Sequence, residues 1–117
     1  MADKTRLLRV FSEARGQGIA HVVFTGGEPT LHPDFGELIG AAVEAGLDFS
    51  FVTNGWSFPK RLPQLLTHAH RLRMITFSID GARETTHDGL RGRGSYRRVL
   101  QAASVCVLRG LPFSFNM

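Results

Sequence analysis

Between residues 24 and 33 the chain reads FTGGEPTLHP, where a strand-like run, HVVF (21–24), passes into two glycines, a glutamate and a proline. A glycine pair after a strand often wraps a phosphate, but a phosphate cradle needs a nest of N–H donors and a lysine. This loop offers the reverse. Gly26 and Gly27 admit backbone conformations closed to other residues and let a ligand come close. Pro29 has no N–H and pushes Glu28 toward an extended conformation. Carbonyl oxygens and a carboxylate are acceptors, and in a close-fitting loop they suit a positively charged donor such as an ammonium group. A glycine pair alone also fits a plain strand-to-helix turn with a solvated glutamate. The full GGEP, flanked by a strand and a helix, is more specific.

Three further strand-like runs end in polar or small residues: TNG (53–55), SIDG (78–81) and NM (116–117). In parallel α/β proteins ligands bind at the carboxyl ends of the strands. Four such ends would form a polar ring at one rim. Each residue also has a plainer use. Ser78 fits a sheet hydroxyl bonded to a neighbouring strand, Asp80 a turn former before Gly81, and Asn54-Gly55 by itself a turn.

The elements that must carry this rim are legible in outline. Strand-like runs occupy AHVVFT (20–25), LDFSFVT (47–53), RMITFSI (73–79) and LPFSFNM (111–117), with helical patterns between them. Strand alternating with helix at this spacing argues for βαβ units and a parallel sheet. Right-handed crossovers would put every helix on one side of a curled sheet, or on both sides of an open one. In PDFGELIGAAVEAG, Phe35, Leu38, Ile39, Ala42 and Val43 share one helical face, with Pro33 expected in the first turn and Gly46 as the stop. In SYRRVLQAASVCVLRG, Ser95 is expected as N-cap and Gly110 as the stop, with Val99, Leu100, Ala103, Cys106 and Val107 inward. A shorter helix is expected near LPQLLTHAHR, starting at Pro63. An opening helix, about 4–15, would turn Leu7, Leu8 and Phe11 inward. The outer strands would each leave an open edge.

Composition narrows the function classes. The 117 residues are 43% hydrophobic and 21% charged, which is a globular and not a disordered balance. Net charge is +4, yet the arginines are spread along the chain; the densest group, Arg91, Arg93, Arg97 and Arg98, has no aromatic ladder or zinc-finger spacing beside it. No nucleic-acid partner is expected. No apolar run has the length of a membrane span and the opening residues lack a signal-peptide core, so a cytoplasmic chain with no membrane partner is expected. His32, His87, His68 and His70 lack partners at metal-ligand spacing. The single cysteine, Cys106, excludes an internal disulfide.

VVFTGGEPTLHPDFGELIGAAVEAG resembles the second strand and helix of the radical S-adenosylmethionine (radical SAM) enzymes. TNG and SIDG match the same family in the same order, and SIDGARETTHDGLRGRGSYRRVL is similar to members that modify peptides or act in cofactor biosynthesis. The resemblance runs from about Ile19 to Met117. It implies a partial (β/α) barrel, with the chain as a partial core domain, residues 1–117, holding the second to fifth barrel strands and truncated at both ends. It implies that Gly26, Gly27 and Glu28 receive the methionine ammonium of S-adenosylmethionine, and that Thr53, Asn54, Ser78 and Asp80 contact its carboxylate or ribose. Family members also hold a 4Fe-4S cluster on a CxxxCxxC loop, and that motif is absent here. Cys106, on an apolar helix face, reads as a buried structural thiol. The resemblance therefore implies the cofactor-binding portion of an enzyme acting on a peptide or small molecule, inactive alone and completed by missing segments or a partner chain. The alternatives are a non-catalytic module that binds S-adenosylmethionine and an inert truncated product.

Overall fold

The computed structural model describes residues 4–79 and 94–116; Asp80, Gly81, His87, Arg91, Arg93 and Met117 lie outside the described residues. The elements are α1 (Lys4–Gly16), β1 (His21–Phe24), a 3-10 turn (Pro29–Leu31), α2 (Phe35–Glu44), β2 (Asp48–Thr53), α3 (Phe58–Thr67), a second 3-10 turn (Ala69–Arg71), β3 (Leu72–Ser78), α4 (Ser95–Arg109) and β4 (Phe113–Asn116). The strands make one parallel sheet in chain order, β1-β2-β3-β4. This is the α/β pattern of a partial barrel.

Side-chain alternation gives the sheet two different faces. Phe49 and Phe51 of β2 and Ile75 and Phe77 of β3 are fully buried on one face. There they meet Phe35 and Ile39 of α2, Phe58 and Leu65 of α3, and Val99 and Cys106 of α4 in one core cluster. Phe11 of α1 meets Phe24 edge-on at 6.5 Å on this same side. All the described helices thus cover one face, as a curled sheet requires. The opposite face carries Val23, 53% exposed, and Met74, 36% exposed, so among the described residues nothing closes over it. Its polar groups pair within the sheet: His21 Nε2 with Ser50 Oγ at 2.7 Å, and Thr76 Oγ1 with Ser114 Oγ at 3.3 Å. No helix among the described residues is long and apolar enough to cross a membrane.

Three helix starts differ from expectation. α3 begins at Phe58, not at Pro63, and Pro63 lies inside it. Burial decides this: Phe58 is fully buried in the core, and Pro59 supplies the first-turn proline instead. Ser95 is the first helical residue of α4 and is fully buried, while Gly94 takes the cap position at φ 85°. Pro33 stands before the α2 cap residue, Asp34, outside the first turn. α2 and α3 approach closely where Gly36 meets Gln64, since a β-carbon at Gly36 would lie 2.2 Å from the Gln64 Nε2. The stops at Gly46 and Gly110 are as expected.

The register between β2 and β3 shifts at Phe49/Ser50, so Arg73 is an extra residue and the strand kinks there. Asp48 pairs with Arg71 at 3.2 Å and Arg73 at 3.0 Å. The hydrogen bond from Arg71, aided by Arg73 and opposed by partial burial, holds the Asp48 carboxyl below its ordinary 3.8. A depressed carboxyl contributes stability above its unfolded value and loses it as pH falls through the folded one. Asp48→Asn is therefore expected to leave a smaller stability loss below about pH 4 than the parent shows, with the difference under about 1 kcal/mol because both arginines are exposed. Acid titrations of unfolding free energy check this; identical profiles would remove the pair from the account.

Candidate functional site

The strand-end rim begins where β1 stops at Phe24. Gly26 and Gly27 follow with φ of 81° and 56°, left-handed values that cost an L-residue about 1–2 kcal/mol each. Nothing lies within 4 Å of where a β-carbon would stand on either one. The glycines are thus required by backbone conformation, and the space over them is open. No backbone hydrogen bond of the described turns and loops ends on either glycine's carbonyl.

Glu28 sits differently. It is half-buried and caps the 3-10 turn, its Oε2 accepting from the Thr30 N–H at 3.1 Å and also from the Thr30 hydroxyl. The same oxygen accepts from Thr53 Oγ1 at 2.8 Å, and Oε1 accepts from the Asn54 N–H. The carboxylate therefore ties the loop after β1 to the end of β2. Register makes this possible: β1 ends at Phe24 beside Phe51, and β2 runs on only to Thr53, alongside the loop that leaves β1.

Thr53 is 1% exposed, and its hydroxyl also accepts from the Gly55 N–H at 3.1 Å. Asn54 Oδ1 accepts from the Trp56 N–H at 3.0 Å, the local turn its sequence suggests. Trp56 lies under the Arg98 guanidinium, 4.2 Å from its ring centre. Ser78 ends β3 half-buried, in register with Asn116 of β4. Gly26, Gly27, Glu28, Thr53 and Asn54 thus gather at one place, with Ser78 at the end of the strand beyond. Asp80 falls outside the described residues. Sequence reasoning missed Thr30, which is 1% exposed and supplies two of the donors to Glu28. Its signal was the Glu-Pro-Thr order, a side chain capping an N–H two residues on.

A cleft of about 420 Å³ borders Thr25 to Pro29 and reaches Leu31 and Phe35. A larger one, about 560 Å³, lies between α2 and α3 along Gly36, Gly40, Gln64 and His68, away from the strand ends. Among the described residues no three His, Cys, Asp or Glu side chains come together as a metal site. Cys106 is fully buried, and desolvation pushes its thiol up to about 11, leaving it neutral and unreactive near pH 7.

The radical SAM superfamily matches residues 2–117. A PqqA peptide cyclase of Ruegeria pomeroyi is 36% identical over 116 residues, covering 97% of this chain and 30% of that protein. An AdoMet-dependent heme synthase of Methanosarcina barkeri is 33% identical over 96 residues, covering 81% of this chain and 27% of that protein. The mycofactocin maturase MftC of Mycobacterium tuberculosis is 30% identical over 93 residues, covering 80% and 24%. The chain spans less than a third of the length of these curated relatives.

Proposed function

The chain belongs to the radical S-adenosylmethionine superfamily, and from that premise we propose that its strand-end rim forms part of the site holding S-adenosylmethionine. The family implies this cofactor and a 4Fe-4S cluster. The carbonyls of Gly26 and Gly27 would accept the methionine ammonium, in open space that no β-carbon fills. The Glu28 carboxylate adds negative potential nearby while its hydrogen bonds keep the loop in shape. Asn54, Ser78 and Asp80 would meet the cofactor's carboxylate or ribose, with Thr53 acting mainly through Glu28. The supporting observation is the open space over both glycines, on a loop that Glu28 anchors to the end of the neighbouring strand.

Bound S-adenosylmethionine is, in this family, the source of a 5′-deoxyadenosyl radical that takes hydrogen from a substrate; the protein orients it and keeps water out. The substrate would be a peptide or a small molecule, in keeping with relatives named for a peptide cyclase, a heme synthase and a maturase. The cluster does not fit the residues of this chain, because thiolate ligation needs several cysteines and Cys106 is a single, buried, neutral thiol. Its ligands would come from polypeptide outside these 117 residues, and the later barrel strands from the same source or a partner chain. That single thiol also favours a second reading, a module that binds the cofactor without cleaving it.

Calorimetry with S-adenosylmethionine, and with an analogue lacking the α-amino group, tests the assignment. The natural cofactor is expected to bind about tenfold more tightly or better, the worth of hydrogen bonds to a charged donor. Equal affinities, or no heat at millimolar ligand, would remove the rim from cofactor binding.

A further inference from the structure

We infer that Arg61 of α3 is a positioning residue for the Gly26–Glu28 loop, a role that rests on the reading of that loop as the ammonium-binding element. Its guanidinium donates from Nε to the Thr30 carbonyl at 2.7 Å and from an Nη to the His32 carbonyl at 2.8 Å. It also lies 5.5 Å from the centre of the Phe35 ring, itself fully buried in the core. A third hydrogen bond, 3.4 Å to Gln64 Oε1, holds the side chain along its own helix. The planar fork reaches the two carbonyls from separate nitrogens in a fixed geometry, whereas a lysine ammonium would have to serve both from a single nitrogen.

These two carbonyls belong to the middle residue and the C-cap of the 3-10 turn that begins at Pro29. Thr30 accepts from Arg61 through its carbonyl and donates to Glu28 through its N–H and hydroxyl. Glu28 in turn holds the end of β2, and β2 leads directly into α3. The contacts close a ring: β2 end, α3, Arg61, Thr30, Glu28, β2 end. A loop fixed in this way presents its glycine carbonyls already ordered, so binding does not have to order them. Cutting the ring at Arg61 leaves the core intact but frees one side of the turn and so loosens the hold of Glu28 on Thr30 and Asn54.

Backbone amide exchange, resolved by residue in the parent, Arg61→Lys and Arg61→Ala, tests this. The Thr30 and Asn54 amides, both bonded to Glu28, report the loop; Ile75 and Phe77 in β3 serve as the internal reference. Arg61→Ala is expected to accelerate the loop amides about tenfold or more relative to the reference, with Arg61→Lys in between. Unchanged loop exchange, or equal acceleration of loop and reference in both variants, overturns the role. In a parallel arm, Arg61→Ala is expected to weaken S-adenosylmethionine binding by about tenfold. If the parent itself does not bind the cofactor, the cofactor reading falls while the exchange data still decide the tether. If the parent binds and the alanine variant binds equally well, Arg61 has no positioning role.

Discussion

The Glu28→Gln variant is expected to lose about 1–3 kcal/mol of folding stability and to bind S-adenosylmethionine more weakly by a similar amount. The carboxylate uses both oxygens as acceptors, Oε2 for the Thr30 N–H and Oε1 for the Asn54 N–H. An amide has only one acceptor oxygen. Whichever way it is turned, its NH2 group faces one of those two backbone N–H groups and leaves it without a partner. The hydroxyls of Thr30 and Thr53 can rotate to accept instead, but a backbone N–H cannot. Glu28→Ala removes both acceptors and is expected to be worse than glutamine. Chemical denaturation measures the first effect and calorimetry the second. A glutamine variant as stable as the parent would mean that these hydrogen bonds are exchanged for water at no cost, and the clamp would lose its meaning.

Phe77→Ala is expected to have the largest effect on folding, about 3–5 kcal/mol, a large part of the 5–15 kcal/mol that holds a domain of ordinary stability together. Phe77 is fully buried, and its ring meets Phe58 at 5.7 Å, Phe113 at 6.3 Å and Phe115 at 6.2 Å. The cavity would lie where β3, β4 and α3 join, and rings around it cannot all move inward without breaking their edge-to-face contacts. Met74→Ala, on the other face of the same strand and 36% exposed, is expected to cost under about 1 kcal/mol. Denaturation midpoints of the two variants give the comparison. Similar losses would contradict the assignment of a packed face and an open face to this sheet.

Some of this protein is decided by short-range rules and is legible in the chain. Strand and helix patterns follow from side-chain periodicity, and the glycine stops at Gly46 and Gly110 follow from backbone sterics, so both could be read locally, although Leu100 and Val107, expected inward, are exposed on the last helix. The same holds for the GGEP loop, where Gly26 and Gly27 take the left-handed conformations that only glycine adopts cheaply. Helix starts were less legible: α3 begins at Phe58 because that ring is wanted in the core, a requirement that no local pattern states.

What the tertiary structure alone decided is which groups the acceptors serve. Glu28 reads in sequence as a carboxylate offered to a ligand; in the fold its hydrogen bonds go to Thr30, Thr53 and Asn54, and the open space lies over the two glycines. Thr53 lies 25 residues away from Glu28, and Arg61 lies 31 from Thr30. Such partners are chosen by strand register and by the angle at which α3 returns over the sheet. Backbone conformation depends on neighbours in sequence, whereas a hydrogen bond across the sheet depends on the packing of the whole core.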